Sequence, residues 1–464
     1  MHFAPCLTSV RVSLSLSISL SLLSPSLPLC IPVSQNLLVS TLSVKGIDNV
    51  NRIDIIQTNQ GGEVTNLHFN YKDVFRAGRL GFSAKKIWIA FLGLLIAHIG
   101  YGILSYLAYI AGGIEVGEVW EVYRLVPMYP TGLPWFTWVI WVVGFLWYLF
   151  VALIFGVAIS KVTYEQLKGD EFYEIKEAIK FALKSGKSAI LAPVVLVLFM
   201  LALIVMGILL ALITWVPYFG QMFFAVMSIL AFAVCLFIIY LVIVTFVSII
   251  IGPSIVGETG NDTFDTLFES FSVVNDQPWR FVVYEFLLIF VILIGVGLLG
   301  FFSAKAIFLG QDVIGLIVPA EKLDNLLINA AYYVKITLPP ICPESWHNLF
   351  TGYVESIGMP NLLYPPDYLP AYETWAGAIT SFILGIVYYF IILFVKSLGM
   401  AIFWAGNTVI FTVLVKKKDD KNLLEMKEEV FEEEKKEEVK KEEPKKPPTK
   451  KRPARTRKRR KKSK

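Results

Sequence analysis

From residue 87 onward the chain alternates long apolar runs with short polar connections. Six runs are long enough to cross a bilayer, at 87–110, 135–159, 189–216, 222–251, 281–302 and 376–395. At about 1.5 Å per residue, each covers the ~30 Å hydrocarbon layer with some tilt. Lipid offers no partner to backbone N–H and C=O groups, so runs of this length form helices. The pattern predicts an all-α fold, a polytopic bundle of about six transmembrane helices.

Two connections carry helical periodicity of their own. Between spans two and three, Phe172, Ile175, Ile179, Ala182 and Leu183 form a stripe opposite Glu174, Lys176, Glu177, Lys180 and Lys184. Between spans four and five, Phe264, Leu267, Phe268, Phe271 and Val274 form another, with Asp262 placed to cap its start. Both are expected to be amphipathic interfacial helices, and the twice-occurring order of span, amphipathic helix, span is a weak pseudo-repeat. After 395 the sequence Lys396, Ser397, Leu398, Gly399 precedes a further apolar run to Val415. The expectation is one long or bent helix, broken near Gly399, with its second half at the cytoplasmic interface. Lys396 then snorkels toward the interface. The connection 303–373 is rich in proline and tyrosine and predicts an irregular cap over the bundle, with a peptide or head-group site as the alternative and a short surface helix over 320–334.

Composition agrees with the pattern. Of 464 residues, 56% are hydrophobic and only 17% charged, against about 25% in soluble proteins, which excludes a water-soluble domain of this size. Lys and Arg set the orientation. The segment before span one (Arg76, Arg79, Lys85, Lys86) and the connection between spans two and three are basic and are expected on the cytoplasmic side of a bacterial inner membrane. Residues 1–69 are set apart as disordered, targeting or mis-annotated sequence. SLSLSISLSLL at 13–23 fits either a translated dinucleotide repeat upstream of the true start or the apolar core of a signal peptide. The membrane domain is 70–415, and 416–464 is a charged tail that holds 22 Lys+Arg against 12 Asp+Glu, or +10, leaving −5 elsewhere.

Little in the chain points to catalysis. The four histidines are scattered, no Walker, nucleophile-elbow or zinc-protease motif occurs, and the four cysteines lack metal or disulfide spacing. No catalytic, cofactor or metal residues are expected. His98 lies mid-span, and its placement among glycines predicts an imidazole hydrogen-bonded between helices; a proton relay is the alternative. Glu285 follows Trp279 and Arg280 by one to two turns and is expected near the cytoplasmic interface. The strongest functional signal is in the tail. Residues 445–464 contain 13 Lys+Arg and no acid, and Lys450, Lys451, Arg452, Arg455, Arg457, Lys458, Arg459, Arg460, Lys461 and Lys462 form a polyanion-binding segment. Anionic lipid head groups attract such a segment at about 1 kcal/mol per basic residue, while ribosomal RNA would bind by phosphate neutralisation. With no aromatic residue after Phe431 to stack on bases, lipid is favoured over RNA, and DNA is not an expected partner.

GPSIVGETGNDTFDTLFESFSVVNDQPWRFVVYEFLLIF, residues 252–290, resembles a pattern in bacterial multi-pass proteins. A span ends in a small/Pro turn, a polar link leads to an amphipathic helix, and an aromatic-basic pair opens the next span, with Pro253, Trp279 and Arg280 in those places. The stretch is similar to the membrane domain attached to some glycerophosphodiester phosphodiesterases and to related uncharacterised proteins. Their catalytic barrel has no counterpart here, so the resemblance implies a helical membrane module without that activity. The expected function is a non-enzymatic scaffold or organising module at the membrane, open to membrane-protein partners; the alternative is transport of a small solute or lipid.

Overall fold

The computed structural model describes residues 67–123, 127, 130, 132–333 and 374–425. The Leu/Ser repeat, the proline-rich part of 303–373 beyond 333 and all ten tail cations named above lie outside the described residues. Among the described residues the fold is all-helical, and six helices are long and apolar enough to cross a membrane.

The described part of the chain opens on a 3-10 turn, Tyr71–Phe75, fixed by a capping box. The Asn70 side chain accepts from Lys72 N at 2.9 Å, and Asp73 accepts from Asn70 N at 3.3 Å. Helix α1 (Arg76–Gly81) follows directly and leads through Phe82 and Ser83 into α2 (Ala84–Ala111). Next come α3 (Val116–Tyr123), α4 (Trp135–Leu167), α5 (Ile175–Ser185), α6 (Lys187–Leu212), α7 (Phe219–Thr259) and α8 (Thr263–Asp276). Helices α9 (Pro278–Gly315), α10 (Ala320–Tyr333) and α11 (Trp375–Asp419) complete the order.

Several helices outrun the apolar runs that predicted them. α11 has 45 residues and is therefore about 67 Å long, more than the ~30 Å hydrocarbon layer requires even at a 40° tilt. Burial separates its two halves. Phe382, Ile383, Val387, Phe390 and Phe394 are exposed, whereas Leu398, Ala401, Ile402, Val409, Ile410 and Val413 are buried in the main core. The second apolar run thus answers to protein packing rather than to lipid. The one long helix expected over this stretch forms, and it is unbroken at Gly399, where a break was expected. A Cβ there would stand 2.9 Å from Val296 Cγ2, so this glycine admits α9.

Pro253 likewise does not end a span. It lies inside α7, which runs on to Thr259 and stops at Gly260 in the left-handed conformation, φ 63°. The resembling pattern does hold at the next helix: Pro278 occupies the first turn of α9, followed by exposed Trp279.

The two amphipathic helices exist, and part of each predicted stripe faces inward: Ile175 and Ala182 of α5, and Leu267, Phe271 and Val274 of α8, belong to or pack against the core clusters, while other stripe residues do not. In α5 the buried residues are Ala178 and Ala182, while Leu183 is exposed and Phe172 lies before the helix, also exposed. In α8 the buried residues are Thr266, Ser270 and Val273, whereas Phe264 and Phe268 are 67% and 66% exposed. Small and hydroxylated residues let these helices approach α4 and α7 closely, and Thr266 and Ser270 spend their hydroxyls on carbonyls four residues back. Asp262 is the N-cap residue of α8, but its side chain makes no capping bond.

The main core joins α1, α2, α4, α7, α9 and α11 at one end of the bundle. Glycines set the helix spacing: a Cβ at Gly156 of α4 would stand 2.7 Å from the Trp404 ring of α11, and one at Gly257 of α7 would stand 2.6 Å from Ser160 Cβ of α4. By contrast, the stretch joining α6 to α7 is exposed on nearly all sides. α10 packs on α11, where Gly385 makes room for Tyr333, and the Tyr332 hydroxyl donates to the Glu121 carbonyl of α3 at 3.1 Å. α10 at Ala320–Tyr333 is the short helix expected over 320–334, whereas α9 continues to Gly315 where an irregular connection was expected.

Candidate functional site

Three polar groupings stand out in this apolar fold. The first centres on Lys86, in the first turn of α2 and fully buried. Its Nζ donates to the Leu80 carbonyl at 2.9 Å and to Gln166 Oε1 at 2.7 Å. Leu80 lies in the last turn of α1 and Gln166 in the last turn of α4, so the ammonium sits where two helices end. Helix C-termini carry partial negative charge from unpaired carbonyls, which compensates a cation lacking a carboxylate partner among the described residues. Lys85 reinforces the joint by donating to the Glu171 and Tyr173 carbonyls at 2.9 and 3.4 Å, tying α2 to the link before α5.

The second is a seam between α4, α7 and α11. Glu258 is buried; its Oε2 accepts from Thr412 Oγ1 at 3.0 Å, and its Oε1 has no partner among the described residues. Thr412 also bonds the Thr408 carbonyl at 2.9 Å, and Ser160 and Ser254 face each other at 3.4 Å. Hydroxyls that can reach their own helix backbone are cheap to bury, which is why this seam tolerates so many.

The third surrounds His98, between α2, α4 and α11. Nδ1 of His98 lies 2.8 Å from the Leu94 carbonyl on its own helix, so the expected interhelical hydrogen bond is not the one made. Its ring is instead edge-on to Tyr148 of α4, with centroids 5.1 Å apart, and to Tyr389 of α11 at 6.0 Å. A polar aromatic ladder continues from there. Tyr148 meets Tyr101 at 6.4 Å, Trp141 Nε1 donates to the Tyr101 hydroxyl at 3.0 Å, and that hydroxyl donates to the Pro127 carbonyl at 3.0 Å. Lys396, two turns along α11 from Tyr389, acts electrostatically on His98. An ammonium inside an apolar helix costs about 2.5–3.5 kcal/mol on insertion scales unless something compensates it.

At the buried end of the bundle the root of the tail is fastened. Leu423 and Leu424 are each 5% exposed, and the Tyr164 hydroxyl of α4 donates to the Leu423 carbonyl at 2.8 Å. α11 stops at Asp420, φ 55°, where Lys416 Nζ bonds the carbonyl at 2.8 Å and the carboxylate at 2.9 Å. That lysine holds the Asp420 carboxyl below its usual range. Lys418 pairs with Asp276 of α8 at 3.6 Å, and Gln277 Nε2 donates to the Leu414 carbonyl at 3.1 Å. Beside them Glu269 has its carboxyl pushed up by burial, partly offset by Lys418.

His98, expected mid-span, and Glu285, expected near the interface, are not brought together. His98 belongs to the tyrosine cluster, while Glu285 stands on α9 with Oε1 buried and unpartnered among the described residues. Sequence reasoning missed Lys86, Glu258, Tyr148 and Tyr389, and treated Lys396 as a snorkelling flank. The seven-residue spacing of Tyr389 and Lys396 was the available signal, since it places both on one helix face. Lys86 resembled any basic residue flanking a span. Comparison with protein-family models, with curated proteins and with solved structures finds no significant match to this chain.

Proposed function

We propose that this chain is a non-enzymatic membrane module that organises polyanionic partners through its basic tail at the cytoplasmic face of a bacterial inner membrane. The observation that carries the reading is the fastened root: Tyr164 of α4 bonds the Leu423 carbonyl, Lys418 pairs the end of α11 with Asp276 of α8, and Gln277 bonds the Leu414 carbonyl. A tail leaving from a fixed point starts beside the bundle and beside whatever surface surrounds it. The Lys/Arg distribution supports the cytoplasmic assignment, and anionic lipid head groups are the favoured partner. The resemblance of 252–290 to a phosphodiesterase-associated membrane domain supports a helical module rather than a catalytic one.

Co-sedimentation with anionic and with uncharged liposomes, and with ribosomes, across a salt series tests this reading. The proteins compared are the full chain and a version ending at Glu425, which keeps the fastened root. Tail-dependent binding to anionic vesicles that weakens steeply with salt is expected. Binding that survives tail removal unchanged sinks the proposal, and tail-dependent binding to ribosomes alone reassigns the partner. A second reading, transport of a small solute or lipid, is favoured by the polar cluster around His98; flux abolished by His98→Ala or Glu285→Gln in reconstituted vesicles would select it.

A further inference from the structure

Helix α5 buries one face and leaves the other without a partner. Ala178 and Ala182 are buried and Phe181 packs against the main core, while Lys176, Lys180 and Lys184 are exposed on the opposite side. Lys187 opens α6 and extends the same face, because Gly186 between the two helices keeps helical angles, φ −63° and ψ −16°. At about 100° per residue, the four lysines fall within an arc of about 80°. Among the described residues no carboxylate pairs with any of them. Glu177 stands at one edge of the arc and Glu174 precedes the helix, so the face carries four cations against one acid. Like charges four residues apart repel, and a cation in the first turn of α6 adds to the positive end of that helix. In the middle of the arc Leu183 is 68% exposed.

The chain itself carries the complement. EEVFEEE at 428–434 holds five glutamates and no base, with Val430 and Phe431 among them as Leu183 is among the lysines. The root brings this run to α5. The Tyr164 hydroxyl binds the Leu423 carbonyl, and the Lys161 ammonium lies over both the Tyr164 ring, at 5.5 Å, and the Phe181 ring of α5, at 5.0 Å. From Leu423 to Glu428 the extended chain reaches about 17 Å, against about 8–10 Å between the axes of packed helices. We propose that residues 428–434 dock on the face of α5 formed by Lys176, Lys180, Lys184 and Lys187 in the same chain. An anionic membrane also attracts lysines, but it repels the five glutamates that follow the root, whereas docking satisfies both. Exposed charge pairs are weak one by one, and the tether makes several of them act at high effective concentration. Docking engages these glutamates on α5 rather than on the cations at 445–464, and the inference stands without the lipid reading of that segment.

A zero-length carbodiimide joins a lysine to a carboxylate only where the two touch. Applied to the full chain in uncharged detergent, with linked peptides mapped by mass spectrometry, it should give intrachain links between 428–434 and Lys176, Lys180, Lys184 or Lys187, several-fold fewer at high salt. Lys176→Glu, Lys180→Glu and Lys184→Glu together should leave the melting temperature unchanged, since all three side chains are exposed, and should remove the links at those positions. Adding Glu428→Lys, Glu429→Lys, Glu432→Lys and Glu433→Lys to that chain should restore them with the charges exchanged; failure of this rescue overturns the docking. Links confined to Lys416, Lys417, Lys418 and Lys421, which any chain leaving the root can reach, overturn it as well. Links found only in dimers assign the contact to a second copy, and their loss on reconstitution into phosphatidylglycerol assigns the face to lipid; either result overturns the intrachain assignment.

Discussion

The Tyr164 hydroxyl and the Leu423 carbonyl are joined by a 2.8 Å hydrogen bond that links the last turn of α4 to the chain just beyond α11. The contact is buried and spans 259 positions of sequence. It makes the start of the charged tail part of the folded bundle.

Tyr164→Phe should release that root. The Leu423 carbonyl would lose its buried donor, at a cost of about 1–3 kcal/mol. Hydrogen exchange at Leu423 and Leu424 should accelerate while the middle of α4 stays protected. Unchanged exchange would mean that apolar packing alone holds the root.

Lys86→Met should lower the melting temperature in detergent, since it leaves the Leu80 carbonyl and Gln166 Oε1 without their donor. The expected loss is about 1–3 kcal/mol. Gln166→Leu in the same chain should cost little more, because both substitutions break one interaction; additive losses would show that Lys86 and Gln166 act independently.

Gly257→Ala should be destabilising by about 1–3 kcal/mol, because its Cβ would meet both Ser160 Cβ at 2.6 Å and the Lys161 backbone nitrogen at 3.0 Å. Gly207→Ala is the matched control. No atom lies within 4 Å of a Cβ there, so its melting temperature should stay level or rise slightly. Equal losses at the two sites would contradict the close approach of α4 and α7.

Glu269 predicts a pH dependence. Its carboxyl is raised in the folded state by burial, so the native chain holds that proton more tightly than the unfolded chain does. Stability from this group is therefore greatest at low pH and declines as pH rises from the unfolded value, near 4.3, through the raised folded value. Glu269→Gln should flatten this part of the stability profile and raise stability at neutral pH. The gain should be small, since Lys418 and Lys421 already favour the charged form and the residue is only half-buried. A variant less stable at neutral pH than the parent would show that the attraction outweighs the burial.

Architecture was legible in the sequence because lipid imposes a one-dimensional rule. A span must be apolar for about 20 residues and must close its own hydrogen bonds, so composition along the chain reports it directly. That rule located α2, α4, α6, α7, α9 and α11, while helical periodicity located the short connecting helices α5 and α8. It failed where apolar residues serve another purpose. The run ending at Val415 is as apolar as a span, yet it is protein core, and Pro253 sits in a helix where local sequence signals a turn. Of the stripe assigned inward on α8, Leu267, Phe271 and Val274 do pack against the core clusters, whereas Phe264 and Phe268 are exposed and Thr266 and Ser270 are buried in the helix contact.

The sequence by itself determined a helical fold with six helices long and apolar enough to cross a membrane, and a strongly basic terminal segment, since each is a property of consecutive residues. Only the tertiary structure decided which half of α11 meets lipid, how two helix ends neutralise Lys86, and that His98, Tyr148, Tyr389 and Lys396 share one place. Those relationships join residues from tens to hundreds of positions apart. They follow from how the helices cross, and crossing is set by side-chain fit between partners rather than by the period of any one helix.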